Sequence, residues 1–410
     1  MLLKRVVITG MGVISPFGRG IENLMGSLLA GKSGVVHVPA LSEITGMRTR
    51  LAALVTGVDP MQIPRKFRRS MSNMSIFATL ACQDAAAMAG LSEVQLQGGR
   101  LGVSVGSTIG SPQTMQEFFK DFNIDNSLER MKSTLFFHIM NHSCASNVAQ
   151  ALGITGRILA PSAACSTSCH AVGYAAEMIS IGKQDFMLCG GADEFHPLTS
   201  GTFDIMNAAS TAYNNSPTST PRPFDRDRDG IVCGEGSGIL LLESLASAEM
   251  RGATILAEIT GFATNSDPGS IANPNASCIA DCMRLALDDA QIKPEQIDYI
   301  NAHATATEQG DIAECEAISR VFGSHTPISS LKGHLGHAMA ASGTLELAVC
   351  IEMLRQGVLI PTLNLEHVDP LCANVRHVQG VTERQIATVI KNNFALGGVN
   401  SSIILRRYQQ

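Results

Sequence analysis

Several features that mark other protein classes are missing from this 410-residue sequence. No apolar run approaches the roughly 18–20 uncharged residues of a membrane-spanning helix, so we expect no membrane partner. Basic residues are not in excess: 30 Lys and Arg against 36 Asp and Glu give a net charge of −6. This balance argues against nucleic acid as a partner. The first residues also lack the layout of a secretory signal peptide.

The eleven cysteines lack the order of a disulfide framework. Their number is odd, they are scattered, and a chain of this length does not need covalent cross-links. We therefore expect reduced thiols in a cytoplasmic protein. The 45% hydrophobic content is ordinary for soluble proteins with large cores, and the length suggests two structural units.

Signals for metal ions and nucleotide cofactors are incomplete. The segment Asp225–Gly230 begins like a calcium loop, but Gly236 occupies the twelfth position, where such a loop requires glutamate. His334 and His337 have no second ligand pair at zinc spacing. Gly10–Gly12 lacks the third glycine of a dinucleotide-binding turn. We therefore predict no metal site and no tightly bound cofactor.

What the sequence does contain is an alternation of strands and helices whose order occurs twice. Each copy has a strand, an Ala-rich helix and a second strand: 5–8, 76–90 and 101–105, then 255–259, 278–291 and 297–300. The repetition predicts an internally duplicated α/β fold with largely parallel strands between layers of helices. We place the boundary between the two units so that they cover residues 1–250 and 251–410.

Cys165 is the most informative single residue. It follows a predicted strand at Ile154–Leu159 and precedes a predicted helix at Ser166–Lys183. A cysteine there lies near free backbone N–H groups and the positive end of the helix dipole, which favours the thiolate. Cysteine is also well suited to hold an acyl group as a thioester. The alternative is a small hydrophobe packed in the core.

Three further motifs carry polar residues. His303 follows an apolar strand, where parallel sheets place functional residues. Lys332 and His337 precede a helix of small residues, and Phe394 precedes the pair Gly397–Gly398, which lets backbone amides approach a ligand. Taken singly, each histidine is more often structural. The order of the motifs along the chain is therefore more informative than any one of them.

Together these motifs resemble a β-ketoacyl-acyl carrier protein synthase of the type I/II kind, in the thiolase superfamily, over essentially the whole chain. The matching segments are Arg5–Gly12, Ser162–Ser168, Arg222–Asp225, Asp229–Gly230, Gly234–Gly236, Asn301–His303, Lys332, Gly336–His337 and Asn393–Phe394. The resemblance implies a thiolase fold layered α-β-α-β-α. It also implies a dimeric enzyme that condenses a bound acyl group with malonyl-acyl carrier protein, with loss of carbon dioxide.

The resemblance implies a role for each of five residues. Cys165 resembles the nucleophile that takes the acyl chain from acyl carrier protein. His303 and His337 resemble the histidines that promote decarboxylation and stabilise the enolate, and Lys332 resembles the lysine that tunes charge beside them. Phe394 resembles the gating phenylalanine, and its N–H and that of Cys165 would form the oxyanion hole.

Further assignments rest on the same resemblance. Asp311 and Glu314 resemble acidic residues that support the loop of His303. We expect the substrate to contact Ile109, Phe203, Thr305 and Thr307. The one dense basic cluster contains Lys66, Arg68 and Arg69. We predict that this cluster docks the acidic carrier protein by electrostatic steering, with a solvated helix face as the alternative.

Related branches of the superfamily differ in residue type. A degradative thiolase is expected to have a second cysteine where this chain has Phe394, and type III synthases a Cys-His-Asn set where it has His337. A chain-length factor would lack Cys165. A homodimer is the default, since segment 134–150 resembles the family interface. A heterodimer with a chain-length factor, and a scaffold subunit with little turnover, remain alternatives.

The chain also departs from the family pattern. Its C-terminal loop has Ala395, Leu396 and Val399 in a motif that is usually Phe-Gly-Phe-Gly-Gly-Thr-Asn. Ala304 and Ser168 stand where glycine is usual. We interpret most of these changes as altered bulk near the pocket or its gate. They favour a specialised acyl substrate, such as a polyene or polyketide chain.

Overall fold

The computed structural model of the chain describes residues 3–409. The strands in this range are β1 (Val6–Ser15), β2 (Gly18–Arg19), β3 (Val35–His37), β4 (Leu51–Ala53), β5 (Leu101–Gly106), β6 (Ile158–Leu159), β7 (Phe186–Asp193), β8 (Gly236–Ser244), β9 (Ala257–Ser266), β10 (Tyr299–Asn301), β11 (Pro327–Ser329), β12 (Val358–Leu359), β13 (Arg376–His377), β14 (Thr382–Glu383), β15 (Thr388–Ala395) and β16 (Val399–Arg406).

The α-helices of the same range are α1 (Ile21–Leu29), α2 (Pro39–Ser42), α3 (Arg65–Arg68), α4 (Asn73–Met88), α5 (Glu93–Gln97), α6 (Pro112–Asn123), α7 (Ser133–Ile139), α8 (Ser143–Leu152), α9 (Thr167–Ser180), α10 (Pro197–Ile205), α11 (Leu245–Met250), α12 (Ala276–Asp289), α13 (Glu308–Phe322), α14 (Lys332–Leu335) and α15 (Ser342–Gln356). Two short 3₁₀ turns, Ala164–Ser166 and Met339–Ala341, lead directly into α9 and α15. None of these helices is long and apolar enough to cross a membrane.

One large mixed sheet forms the centre of the molecule. Its strands lie in the order β13-β11-β10-β15-β16-β9-β1-β8-β7-β5-β6, with β2 added beside β1. From β1 outward to β6, two antiparallel pairings are followed by two parallel ones, and the same pattern runs from β9 outward to β11. The antiparallel pair β1–β9 joins the two repeats. The predicted internal duplication is confirmed, whereas the expectation of largely parallel strands is wrong, because half of the pairings along this order are antiparallel.

The helices lie in layers around the two repeats of the sheet. Helices α9 and α15 pack against each other and contact strands of both repeats, so they form a central layer. Helix α15 is buried without interruption from Ser342 to Leu354, as expected for a helix covered on all sides. Helix α4 covers β1 and β8 from outside, and α12 covers β9 and β16. The predicted α-β-α-β-α layering is confirmed.

The glycines of the opening motif are explained by packing rather than by a nucleotide. A Cβ atom on Gly10 would lie 2.1 Å from the Ala85 carbonyl oxygen, and one on Gly12 would lie 2.0 Å from that of Ala81. Both carbonyls belong to α4. The missing side chains therefore allow α4 to lie directly on β1.

Two predicted elements differ in extent from those observed. The strand predicted at 154–159 is reduced to Ile158–Leu159. At Gly156 the backbone packs closely on the Leu101 carbonyl, from which a Cβ atom would lie only 2.0 Å away, and it forms no strand pairing there. The helix predicted at 166–183 spans Thr167–Ser180. The division into residues 1–250 and 251–410 stays a prediction.

Candidate active site

Cys165 lies in the 3₁₀ turn that leads into α9. Ala164, just before it, has φ of 45°, a conformation that is uncommon for residues with a side chain. Neighbouring contacts hold this turn in place. The Ser166 hydroxyl donates to the carbonyls of Asn393 and Val399 at 3.1 and 2.9 Å. The nucleophile candidate is therefore fastened to the C-terminal hairpin β15–β16.

His337 is the nearest titratable side chain to that thiol. Its Nε2 lies 2.9 Å from the Cys165 sulfur, and the residue is 1% exposed. The backbone of His337 is fixed as well, because its N–H donates to the Val232 carbonyl and its carbonyl accepts from the Gly234 N–H, both at 2.8 Å. This geometry suits direct proton transfer between sulfur and imidazole.

His303 follows β10 and is positioned by two acidic side chains of α13. The N–H groups of His303 and Ala304 donate to the Glu314 carboxylate at 2.9 and 2.7 Å. Asp311 accepts from the N–H of Ala306 at 3.1 Å. These contacts support the loop as the family resemblance implied for the two acidic residues.

The three candidate catalytic side chains come together although they lie far apart in the sequence. Cys165, His303 and His337 place one ligand-type atom each within 4.8 Å of one another, and all three residues are buried. The two imidazole rings are 5.3 Å apart between centroids and nearly perpendicular. Such a cluster has donor types that a metal ion also uses, so the absence of a metal site stays a prediction.

Asn393 contacts both the turn of Cys165 and His303. Its Nδ2 donates to the Cys165 carbonyl at 2.9 Å, which identifies that atom as the amide nitrogen, and the same atom lies 3.4 Å from His303 Nδ1. The same Nδ2 also donates to the Ser342 hydroxyl at 3.2 Å, and the proposed reaction assigns Nδ1 as the acceptor and Nε2 as the protonated nitrogen of His303. Sequence reasoning included Asn393 in a motif but missed this role.

Burial sets the protonation states of the cluster. It raises the pKa of the Cys165 thiol to about 11, and the charge of Lys332 and a backbone N–H of Leu396 only partly oppose it. The expected thiolate is therefore not favoured in the closed site. Burial lowers the pKa of both His303 and His337 well below the ordinary value, assisted by the charge of Lys332. The site pairs a thiol with two neutral imidazoles.

Lys332 belongs to a buried charge cluster that the sequence indicated only in part. Its Nζ lies 2.7 Å from Glu346 Oε1, and the Nζ of Lys391 lies 2.7 Å from Glu346 Oε2. Both lysines have fully buried side chains. Burial lowers the pKa of Lys332, and the charge of Glu346 opposes that shift. A lysine inside the apolar run of β15 was the available signal for Lys391.

The assignment of Phe394 as an oxyanion donor stays a prediction. The backbone N–H groups that lower the pKa of the Cys165 thiol are those of Leu396 and of Cys165 itself. Phe394 is buried with its ring centroid 6.2 Å from that of His303. Leu396 occupies the second aromatic position of the usual Phe-Gly-Phe loop, which was the signal for it.

Two cavities meet at the nucleophile. The histidine cavity, of about 400 Å³, is lined by Cys165, His303, His337, Thr305 and Thr307. The apolar cavity, of about 630 Å³, is lined by Cys165, Ile109, Met115, Phe119 and Leu198. Cys165, Phe203 and Leu396 line both cavities. Thr305 and Thr307 therefore lie on one side of the thiol and Ile109 on the other, while their contact with substrate stays a prediction.

Ser168 does not lie at the pocket, unlike most of the other sequence departures. It is fully buried and lines neither cavity. Its hydroxyl accepts from the Thr344 N–H at 3.1 Å, where α9 meets the start of α15. Ala304, Ala395 and Leu396 do line the histidine cavity. Three of the five sequence departures therefore change the size of a side chain at the site or its gate.

The basic cluster lies on α3 and just after it. Lys66 and Arg69 are exposed. Arg68 is half-buried, and its guanidinium donates to the Pro60 carbonyl at 3.2 Å, so its charge partly serves the local fold. Carrier docking at this cluster stays a prediction, best represented by Lys66 and Arg69.

Comparison with known proteins was made against families, curated proteins and solved structures. Residues 3–248 match the N-terminal domain of beta-ketoacyl synthases, and residues 256–366 match their C-terminal domain. The chain is 36% identical over 412 residues to the 3-oxoacyl-[acyl-carrier-protein] synthase 1 of Escherichia coli K12, covering 99% of both chains. It is 34% identical over 411 residues to the synthase 2 of Coxiella burnetii, with 98% and 99% covered.

Solved structures agree over the whole chain. A beta-ketoacyl synthase from Burkholderia phymatum superposes with a TM-score of 0.96 at 42% identity, covering 99% of this chain and 100% of that one. The ishigamide ketosynthase/chain length factor gives a TM-score of 0.91 at 32% identity with the same coverage. The thiolase-type fold and the family predicted from the motifs are confirmed, and the chain belongs to the beta-ketoacyl synthase family.

Proposed function

We propose that this protein elongates a fatty acid, polyketide or polyene chain by condensing an acyl group on Cys165 with malonyl-acyl carrier protein, releasing carbon dioxide. The observation that carries the proposal is the cluster of Cys165, His303 and His337 at the junction of two cavities. The relatives named as 3-oxoacyl-[acyl-carrier-protein] synthases support it. No metal, redox group or bound cofactor enters the proposed reaction.

The first half-reaction loads the nucleophile. The Cys165 sulfur attacks the thioester carbonyl of the acyl carrier, and its proton passes to His337 Nε2, 2.9 Å away. The tetrahedral intermediate collapses, the carrier thiol leaves, and His337 returns the proton to it. Because the thiol has a raised pKa, a neutral imidazole at hydrogen-bond distance is the base that this step requires.

The second half-reaction forms the carbon–carbon bond. Malonyl thioester loses carbon dioxide, and the enolate oxygen accepts the Nε2 proton of His303 as a hydrogen bond, since Nδ1 faces Asn393. The enolate carbon attacks the acyl carbonyl, whose oxygen is held by the N–H groups of Cys165 and Leu396. Collapse breaks the bond between the acyl carbon and the Cys165 sulfur, and the released thiolate takes up one proton from solvent through His337 to restore the thiol.

We place the acyl chain in the apolar cavity and the malonyl group in the histidine cavity. The supporting observation is that Leu396, which replaces a family aromatic residue, lines both cavities beside Cys165. A smaller gate favours rigid or bulky chains, in line with a specialised substrate. Mass spectrometry of Cys165 after incubation with saturated and unsaturated acyl carriers tests this. Equal loading of all saturated lengths with no preference for unsaturated chains would contradict it.

We propose acyl carrier protein as the partner at the basic cluster. The double change Lys66→Glu and Arg69→Glu should raise the KM for acyl carrier several-fold at low salt, because steering is electrostatic. Turnover of a small acyl thioester serves as the control and should not change. Arg68 is left in place, since it contacts the local backbone. An unaltered KM for the carrier would place docking elsewhere.

A homodimer is the proposed assembly. Strand β6 ends the large sheet, and apolar side chains near it and on α6–α7 are exposed. These residues are Phe119, Ile124, Leu128, Phe136 and Ile158. The ketosynthase/chain length factor among the structural neighbours makes a heterodimer the alternative. Sedimentation of the purified chain distinguishes them, since a stable monomer would favour a missing partner.

We also propose a cytoplasmic location. The eleven free cysteines support it, because thiols stay reduced in that compartment.

Incubation with malonyl-acyl carrier and an acyl carrier tests the function itself. We expect carbon dioxide release and a product longer by two carbons. Labelling of Cys165 by iodoacetamide should block both. A chain that neither decarboxylates malonyl carrier nor forms an acyl-enzyme would instead be a scaffold or chain-length subunit.

A further inference from the structure

Lys391 is a buried charge that the proposed reaction steps do not use. It lies in β15, three positions before Phe394, and its side chain has no exposure to solvent. Burying an ammonium group is unfavourable unless its charge is paired. A neutral side chain of similar length would fill the same space without that cost. The position therefore points to a role for the charge.

The contacts of Lys391 connect it to the catalytic lysine. Its Nζ donates to the Asn392 carbonyl at 2.6 Å and lies 2.7 Å from Glu346 Oε2. The other oxygen of Glu346 accepts from Lys332 Nζ at 2.7 Å. Two buried ammonium groups thus share a single carboxylate. The cluster carries one positive charge that Glu346 does not neutralise.

That charge acts on the histidines. The charges of Lys332 and Lys391 both lower the pKa of His303 and of His337, in addition to burial. Glu314 and Asp311 are the other acidic groups at the His303 loop, and the oxygens of both accept backbone N–H groups there. Each histidine also faces the other.

The thiol responds to a different set of charges. Lys332 lowers the pKa of Cys165, and Asp193 raises it. The charge of Lys391 instead lowers the pKa of Cys169, one helical turn further along α9. Lys332 is thus a main influence on the thiol and both histidines, whereas Lys391 is a main influence on the histidines and on Cys169 but not on Cys165.

We propose that Lys391 is a positioning residue for decarboxylation: its ammonium holds the far oxygen of Glu346, keeps Lys332 against the near oxygen, and fixes a second positive charge beneath His303 and His337. This charge keeps both imidazoles neutral, the protonation state in which the proposed steps use them. It also favours the negative charge that develops on the enolate. The inference rests on the proposed condensation and adds to it a residue outside the motifs of the sequence.

The test compares pH profiles of two half-reactions. Lys391→Met removes the charge and keeps the length of the side chain. We expect the acid limb of malonyl-carrier decarboxylation to move up by about half a pH unit or more, because a nearby positive charge is lost. Decarboxylation at pH 7 should fall roughly tenfold, while acylation of Cys165 stays within about twofold. Ile390→Val, on the opposite face of the same strand, is the matched packing control.

Two further variants keep the test decisive. Lys391→Arg retains the charge and should keep the wild-type acid limb, whereas Lys391→Gln, used if the methionine variant does not fold, should move it. An unmoved limb in a folded neutral variant, or an equal loss of acylation, would overturn the role of Lys391. Wild-type enzyme without any decarboxylation would instead contradict the proposed function.

Discussion

The two 3₁₀ turns that lead into α9 and α15 occupy matching places in the two repeats. Each opens on a residue with a side chain and positive φ, Ala164 at 45° and Met339 at 47°. Each continues directly into a buried central helix. The second residue of the first turn is Cys165, and the second residue of the other turn is Ala340. The duplication has produced the same local geometry twice, with a cysteine in only one of the two turns.

The surroundings of the two turns differ as much as the residues do. Cys165 faces His337, the Leu396 N–H and two cavities. The N–H of Ala340 instead donates to the buried carboxylate of Asp193 at 2.8 Å. A side chain of the first repeat thus accepts the hydrogen bond of the backbone N–H in the second turn. Turn geometry alone does not make a site, and the C-terminal repeat contributes histidines to the one site that forms.

Making the two turns alike gives the largest expected effect. Cys165→Ala reproduces the composition of the second turn, and condensation should fall at least about 10³-fold because the acyl acceptor is lost. Intact-mass measurement should find no acyl-enzyme. Cys169→Ala, also buried in α9, is the matched control and should stay within a few-fold of wild type. Residual acylation of Cys165→Ala would place the nucleophile elsewhere.

The contribution of the C-terminal repeat is tested at His303. His303→Ala removes the enolate donor, so carbon dioxide release from malonyl carrier should fall about 10²–10⁴-fold. Acylation of Cys165 should persist, because His337 is the imidazole at the sulfur. The exposed His325 of the same repeat, changed to alanine, is the control. Equal loss of both half-reactions would mean that His303 supports the turn rather than the enolate.

Most of the fold and the catalytic cluster could be predicted from the sequence. The repeat was visible because strands and Ala-rich helices kept their order, and Cys165, His303 and His337 stood at strand or helix ends. The Leu396 N–H could not be derived from periodicity, because a backbone donor has no residue type. Lys391 and Asn393 were missed for another reason: they lie inside a strand, where partners from α15 and from the turn of Cys165 decide their roles.

The raised pKa of Cys165 gives a third test of the comparison. Thiolate is the reactive form, and its fraction rises about tenfold per pH unit below the pKa. Alkylation by iodoacetamide should therefore increase about 100-fold between pH 8 and pH 10, with no plateau below the pKa of about 11. A free thiol reagent such as glutathione is the reference and should level off earlier. A plateau near pH 8 would show a thiol–imidazole ion pair instead.

The smallest effect is expected from the contact that fills the second turn. Asp193→Asn keeps an acceptor for the Ser107 hydroxyl but turns an amide N–H toward the N–H of Ala340. One buried donor without a partner should lower the free energy of unfolding by about 1–3 kcal/mol, measured by urea titration. Asp288→Asn, on the exposed face of α12, is the control.

The same variant carries a second readout. The charge of Asp193 raises the pKa of Cys165, so Asp193→Asn should shift the alkylation profile of Cys165 to lower pH while condensation changes only a few-fold. Lost stability with an unmoved profile would mean that Asp193 serves the second turn alone. If the variant both loses stability and shifts the alkylation profile, the Asp193 carboxylate has two roles. It then binds the second turn and also keeps the Cys165 thiol of the first repeat protonated.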